Sequence, residues 1–489
     1  MGIWDNIQNP WDNRSYRNFS GGENLKIGPE FIGDNEVINA INCIISSEAP
    51  LITRDGKTRL NPTSLGSGPI LSILRYTKTN GTKFLLVQHG TSLYAPTWDG
   101  VSDITNFGAA IKTGLTAGLK LRGRIWKDVV ILTNGEDTVF YFNGTSCTDI
   151  PSAPLSPKFV VYANRLWGWE GNALKFCELE DYTDWPALNI ILIRDDDGDY
   201  ITNLSPQPGG MVIFKQNSAW SMYGTNRQNI NIPEAPISSR IGCISYDSLV
   251  DDGVVMGKDN LYTFNLTGMR PFKETHTPLI KNMTIAQRKN VHMVLHTVEN
   301  RILVFLGDNQ ELTLVIHGEF NSAITTWRNI NASCFELVDN ADDEEILLIG
   351  DATNGIIYKN EGQNDDGTLI ETRIKSHYND YDINLDKIWR LFQLEIDVVD
   401  DIDPVRFYLG YDVDYSRFGG MMTQSYNKNL LDWGIDAWGT ANWGSNYRIK
   451  EEMWMGDVRG SRISFEIVVY HRIKLSGWST RLRPAGVLP

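Results

Sequence analysis

Cysteine is scarce in this chain. The five residues, Cys43, Cys147, Cys177, Cys243 and Cys334, are odd in number and include no close pair. That pattern excludes a disulfide framework and a zinc site of paired thiols, and predicts reduced, buried thiols. Long apolar runs are missing too: none reaches the roughly 18–20 residues a membrane helix needs. Met1 to Asn18 has neither a basic start nor an apolar core, so no secretory signal is expected. The chain is expected to stay where it is made or to leave by lysis. Positive charge is short, with Lys and Arg at 45 against Asp and Glu at 60, a formal net charge of −15. This argues against a surface that coats nucleic acid. It is compatible with one past which DNA slides without sticking. No GxxxxGKS or GxxxxGKT phosphate loop, no GxSxG elbow and no sialidase-type Ser-x-Asp-x-Gly-x-x-Trp box occurs.

Hairpins are abundant. Between Phe159 and Gly224, apolar bursts alternate with polar corners. Phe159 to Tyr162 leads through Ala163-Asn164-Arg165 into Leu166-Trp167, and Met211 to Phe214 leads through Lys215-Gln216-Asn217 into Ala219-Trp220. This predicts strand, tight turn, strand, with the aromatic packed across the hairpin. From Pro69, ILSILRYT, KFLLVQHG, SLYAPTWDG and VSDIT predict four strands of a first unit, with Asn80-Gly81 as a two-residue corner. The pattern returns at Asp128 to Ile150, Gly253 to Asn265, Arg301 to Ile316 and Glu345 to Asn360. The aromatic anchors Tyr94, Tyr141, Trp167, Trp220, Tyr262, Phe305 and Tyr358 are spaced by 47, 26, 53, 42, 43 and 53 residues. Apart from the short second step, which predicts an incomplete or shared blade, this is near the period of about 40–50 of four-stranded propeller blades. Stacked β-sandwiches with similar hairpins are the alternative.

Three regions follow. Residues 1–63 are expected to form an N-terminal arm and one short helix, because Val37, Ile38, Ile41 and Ile44 share a face at helical spacing behind Asp34 as N-cap. Residues 64–370 carry the hairpin repeats, closed by Asn364-Asp365-Asp366-Gly367. Residues 371–489 have longer alternating strands, expected as a β-sandwich or platform domain. The fold class expected is therefore all-β: an irregular β-propeller of hairpin repeats plus a C-terminal β-sandwich-like domain, with a short arm and helix before them.

Candidate chemistry is thin. In Arg194 to Asp199 (RDDDGD), Asp195, Asp197 and Asp199 could open a calcium loop, but Tyr200 and Pro206 stand where such a loop wants Gly and Glu. A solvated turn is the competing reading. The same acids could serve as glycosidase carboxylates, which must face each other across a cleft. His292 and His296, four apart, form a metal pair on a helix, yet VHMVLH reads as a strand and no third ligand is evident. No catalytic residue, cofactor or metal is expected. Trp433, Trp438 and Trp443 repeat at five-residue steps, each followed by Gly. That step fits neither one helix face nor one strand face, so these residues are candidates for contact with a partner subunit. Packing in their own domain and stacking on sugar are the alternatives.

The chain resembles the tail nozzle, or tail tubular B, and DNA-stabilisation proteins of short-tailed phages. Phe19-Ser20-Gly21-Gly22, Asp34-Asn35-Glu36 to Asn42, and Arg54-Asp55-Gly56 are similar to that family's opening. Asn164-Arg165-Leu166-Trp167 with Asp181 to Trp185 looks like one of its blades. Asp197-Gly198-Asp199-x-Ile201-Thr202 with Phe214-Lys215 and Ser218-x-Trp220 looks like the next. Gly242-Cys243-Ile244-Ser245 with Asn260-Leu261-Tyr262 looks like the one after. The Trp-Gly repeat and the strands from Gly460 to Trp478 share the family's character. The resemblance implies a virion structural protein, assembled in the bacterial host cytoplasm. It would form a ring of six copies below the portal and adaptor, dock tail fibres or other tail proteins, and conduct double-stranded DNA without binding it specifically. Asp195, Asp196, Asp197, Asp365 and Asp366 are then candidates to line the channel. A glycan-binding or glycan-cleaving tail-spike propeller is the first alternative, and a capsid decoration protein the second.

Overall fold

The computed structural model describes residues 11–47, 50–250, 253–307, 312–340, 344–380, 386–399, 405–415, 418–426 and 447–485. The chain forms two compact units. One comprises Thr58–Thr313 and Asn329–Asn360, the other Met1–Lys57, Leu314–Arg328 and Glu361–Pro489. No helix among the described residues is long and apolar enough to cross a membrane.

The first unit is a β-propeller-like array of small antiparallel sheets, here called blades. Blade 1 runs Ile70–Thr77, Lys83–His89, Ser92–Tyr94; blade 2 Arg122–Trp126, Val129–Thr133, Phe140–Phe142, Cys147–Asp149; blade 3 Val160–Tyr162, Arg165–Glu170, Ala173–Phe176, Ile190–Leu192. Blade 4 is Ile201–Gln207, Gly210–Lys215, Ala219–Met222; blade 5 Leu249–Val250, Val254–Met256, Leu261–Asn265, Gly268–Pro271. In this unit blade 6 contributes His292–His296 and Arg301–Phe305. Blade 7 is Ala332–Asp339, Glu345–Asp351, Ile357–Lys359, and its outer strand is Thr58–Arg59, where the chain enters the unit. Start and end of the array are thus hydrogen-bonded in one sheet. Each hairpin phrase of the sequence falls on a separate blade.

Successive blades share their cores, which explains the apolar bursts. Tyr76, Leu86, Val130 and Phe142 pack between blades 1 and 2. Val160, Trp167, Trp169, Met211 and Ile213 pack between blades 3 and 4. A middle strand covered on both faces reads as a continuous apolar run and not as an alternation; all of Gly210–Lys215 is buried. The corner of blade 3 is a tight hairpin turn with φ of 51° at Ala163 and 54° at Asn164, the two left-handed residues of a type I′ turn. Asn80-Gly81 differs. Only Gly81 is left-handed, at 85°, in a loop from Thr77 to Lys83 that is longer than the expected two-residue corner.

The second unit is a β-sandwich-like pair of sheets. One orders Tyr447–Gly460, Lys387–Val398, Ile473–Pro484, Leu51–Thr53 and Cys43–Ile44, with Asp12–Tyr16 also on Ile473–Pro484. The other includes, in order, Ala323–Trp327, Gly22–Glu23, Glu36–Ile41, Thr372–Ser376, Ile463–Val469, Val405–Val413 and Phe418–Tyr426. Phe19, Val37, Trp389, Phe392, Phe407, Ile467 and Trp478 fill one core. Two expectations are corrected here. Residues 12–57 are not a separate arm but supply strands to this unit. The segment Asp34 to Ile44 is not a helix: Glu36–Ile41 pairs with Gly22–Glu23 and Thr372–Ser376. A register shift between Val37 and Asn39 and a left-handed Asn42 (φ 56°) give the apolar residues their helix-like spacing.

Candidate functional site

The residues singled out in the sequence do not converge. Trp433, Trp438 and Trp443 lie outside the described residues. Asp195, Asp196 and Asp197 sit in the loop between blades 3 and 4, with Asp195 and Asp196 exposed. Asp197 has a partner: Lys215, fully buried, donates from Nζ to both its oxygens at 2.8 Å and to the Arg194 carbonyl at 2.6 Å. Burial pushes the Asp197 carboxyl up, but Lys215 and the Asp199 N–H outweigh it and hold it below its usual range. Asp199 accepts from the Asn217 N–H at 3.0 Å and the Ser218 hydroxyl at 3.0 Å. These acids therefore close a loop over a buried lysine. Asp197→Asn should then destabilise the protein by about 1–3 kcal/mol, because it leaves a buried charge poorly paired. Urea unfolding checks this. If stability is unchanged while release of reducing sugar from a host polysaccharide disappears, the glycosidase reading is right instead.

Asp365 and Asp366 belong to the other unit. Asp365 is ion-paired with the buried Arg54, and the Asp366 N–H donates to the Lys57 carbonyl at 2.8 Å. His292 and His296 lie on a strand: His296 meets Glu345 at 3.2 Å, and His292 packs 6.1 Å from the Phe335 ring. Among the described residues, no three His, Cys, Asp or Glu side chains are grouped to hold a metal ion.

A polar cluster at the propeller axis is a candidate that sequence reasoning missed. The first strands of neighbouring blades lie side by side around it, blade 7 against 1, 1 against 2, 5 against 6 and 6 against 7. A cavity of about 150 Å³ there is lined by Lys120, Arg122, Lys158, Asp247, His292 and Glu336, among others. Arg122 Nε and Nη2 donate to the two Asp247 oxygens at 2.6 and 2.7 Å. This planar fork is among the stronger ion-pair geometries. The guanidinium also lies 5.1 Å over the Tyr246 ring. Burial pushes the Asp247 carboxyl up, but Arg122, helped by His292 and Lys120, holds it far below its usual range. Burial drives His292 down to about 4, against the pull of Asp247 and with the push of Lys120, Arg122 and Lys158. Burial raises Glu336 to about 7, although the Arg75 N–H donates to it at 3.3 Å and the Arg75 charge opposes the rise. A signal for this cluster was present. Arg122 and His292 begin the first strands of their blades, while Lys158 and Asp247 stand two residues before theirs.

A second, open groove beside blade 1 holds Trp98, Asp99 and Asp103, the residue types that grip sugars. Their side chains are engaged locally: Trp98 is buried and donates to the Ser102 carbonyl at 2.8 Å. Asp99 accepts from the Ser102 hydroxyl and from the N–H groups of Val101 and Ser102, which with the hydroxyl bond first among them hold it down at about 2. Asp103 meets Lys359 at 3.5 Å.

No family model matches the chain, and no curated protein matches it. Among solved structures, it is similar to the extracellular domain of the hybrid two component system BT4673 from B. thetaiotaomicron, with 10% identity and a TM-score of 0.40 over 65% of this chain. The chain spans 40% of the length of that structure. It is also similar to the Neurospora crassa Pan2 WD40 domain, with 11% identity and a TM-score of 0.40, covering 63% of this chain and 96% of that one.

Proposed function

We propose that this protein is a structural component of a phage tail, a nozzle subunit that joins further copies of itself in a six-fold ring and passes double-stranded DNA. The observation that carries the reading is an exposed apolar edge. Ile190–Leu192 is the terminal strand of blade 3. Ile190 and Leu192, two apart in that strand and so on one face, are 40% and 60% exposed, and Leu188, in the turn just before the strand, is 65% exposed. An uncovered apolar edge strand is a template for pairing with another chain, and a second copy is the occupant proposed here. The motif resemblance supplies the tail context, the docking of portal or adaptor and tail-fibre proteins, and the place in the virion. The axial cavity, about 150 Å³ and crossed by the Arg122–Asp247 pair, is far too small for a duplex whose major groove alone is about 12 Å wide. The DNA channel therefore runs between copies and not through a propeller. Asp195 and Asp196, a few residues beyond the apolar edge, are its candidate lining.

Leu188→Asp combined with Leu192→Asp should weaken ring assembly by about thirtyfold or more, since a central interface anchor contributes at least about 2 kcal/mol. The thermal melt of the dissociated chain should hardly move. Sedimentation velocity beside a melting curve reads both. Wild-type protein that stays monomeric at tens of micromolar with no tail partner able to recruit it would sink the reading. The tail-spike alternative predicts instead a monomer or trimer that retains a host polysaccharide.

A further inference from the structure

One sheet of the β-sandwich unit buries Trp389, Phe392, Met453 and Met455 in the core and turns a different set of side chains outward. Trp454, between the two buried methionines, is 64% exposed. It stands on Tyr447–Gly460, the terminal strand of that sheet. Arg390 of the neighbouring strand lies 5.4 Å from its ring and 3.7 Å from that of Trp11. A register shift between Trp389 and Leu391 and a left-handed Asp457 (φ 57°) interrupt the alternation there. Arg390 Nε and Nη2 thereby reach the two Asp457 oxygens at 2.8 and 3.0 Å. Leu391 is opposite Trp454 on one side and Arg481 on the other, so these share the outer face. Arg481 is exposed and donates to the neutral Asn13 at 3.1 Å. Arg459, on the same strand as Trp454, has a side chain 67% exposed and meets Asp386 at 3.2 Å. Tryptophan and arginine are the residues most enriched among interface anchors. Stacking on Arg390 fixes Trp454 in advance, so little side-chain freedom is lost on binding.

A matching surface exists in the other unit. Residues 177–189, between the last two strands of blade 3, hold four acids, Glu178, Glu180, Asp181 and Asp184, and no Lys or Arg. Glu178 meets Arg165 at 3.4 Å and Glu180 meets Lys127 at 3.2 Å. Asp181 and Asp184 are exposed. Asn189 donates to Glu178 at 3.2 Å, which folds this loop back onto the edge of blade 3. Leu179 and Leu188, in the same loop, are 58% and 65% exposed. One surface therefore offers an aromatic ring rimmed by cations, the other aliphatic side chains rimmed by carboxylates. We propose that the two are halves of one contact between copies of this chain. The blade 3 corner of one copy seats Leu179 and Leu188 on Trp454 of the next, with Asp181 and Asp184 toward Arg459 and Arg481. This contact rests on the ring proposed above and supplies its second surface. A two-fold contact needs a self-complementary patch, and neither the acidic corner nor the arginine-rich face is one. Joining two different patches is head-to-tail, the kind of contact that closes into rings.

The test uses the full chain and sedimentation velocity, with a melting curve of each variant. Trp454→Ala should weaken assembly by about thirtyfold and hardly move the melt, because the side chain is mostly exposed. One variant carries Arg459→Glu and Arg481→Glu, so that its face and its corner are both acidic. A second carries Asp181→Lys and Asp184→Lys, so that both are basic. Each alone should assemble about tenfold or more weakly than wild type, since like charges then meet. Mixed in equal amounts they should assemble again, because an alternating ring of six brings opposite charges together at every junction. If one charge variant fails to fold, the other and Trp454→Ala decide. Assembly unchanged in the folded variants, or a mixture no better than its components, would overturn this contact. The ring reading would still stand if wild type assembles and the Leu188→Asp, Leu192→Asp variant does not. Wild type that never self-associates would overturn both.

Discussion

Asp365→Ala should destabilise the β-sandwich unit by about 3–5 kcal/mol, the loss typical when one partner of a buried ion pair is removed. Arg54 is the reason. Its side chain is fully buried and Asp365 is 11% exposed. All five N–H donors of the guanidinium have acceptors: Nε on Asn42 Oδ1 at 3.0 Å, Nη1 on the Asp55 carbonyl and Asp365 Oδ1 at 2.9 Å each, Nη2 on Asp365 Oδ2 at 2.5 Å and the Arg328 carbonyl at 3.4 Å. The ring of Trp327 lies 5.9 Å away. Without Asp365 a charge stays buried with neutral acceptors only. The two turns pack closely there: a Cβ on Gly56 would meet the Asn364 carbonyl oxygen at 2.1 Å. Arg54→Met together with Asp365→Leu should recover most of the loss, since an apolar pair can replace a buried ion pair at little cost. Guanidinium unfolding followed by tryptophan fluorescence reads both variants. A single variant that loses less than about 1 kcal/mol would free Asp365 for the channel-lining role that its place in an acidic cluster suggests.

This knot shows where sequence reading stops. Arg54-Asp55-Gly56 is visible as a turn, and Asn364-Asp365-Asp366-Gly367 as the close of the repeats, but their pairing spans 311 residues and nothing local announces it. The propeller was legible for the opposite reason. Blades are local hairpins, their corners are written in residues that tolerate positive φ, such as Asn164, and their anchors are large aromatics. The segment from Asp34 to Ile44 misled because a bulge and a left-handed Asn42 mimic helical spacing. Membership in a two-sheet core, set by Gly22–Glu23 and Thr372–Ser376 on either side, overrode the local pattern. The axial charges were missed because they are spread over blades 2, 3, 5, 6 and 7, and a charged residue at the start of a strand is normally a solvated turn residue.

The same axis sets an unusual expected response to pH. The Glu336 carboxyl rises from 4.5 to about 7 in the fold. Between those values the folded chain holds a proton that the unfolded chain has lost, so stability falls as pH rises through the window. The His292 imidazole falls from 6.5 to about 4. Between those values the unfolded chain takes a proton that the folded one refuses, so stability falls as pH drops. Each group contributes a slope of about 1.4 kcal/mol per pH unit where its protonation differs between the states. From pH 4.5 to 6.5 the two slopes are opposite and cancel, and this axial contribution in the wild type should be nearly flat. Glu336→Gln removes one side of the balance, and the variant should lose about 2–3 kcal/mol relative to wild type as pH is lowered from 6.5 to 4.5. His292→Gln should show the mirror image, losing about as much as pH is raised over the same interval. Urea unfolding across that pH range measures both. Variant curves that run parallel to wild type would mean that solvent reaches the axis freely and that neither group is perturbed by burial.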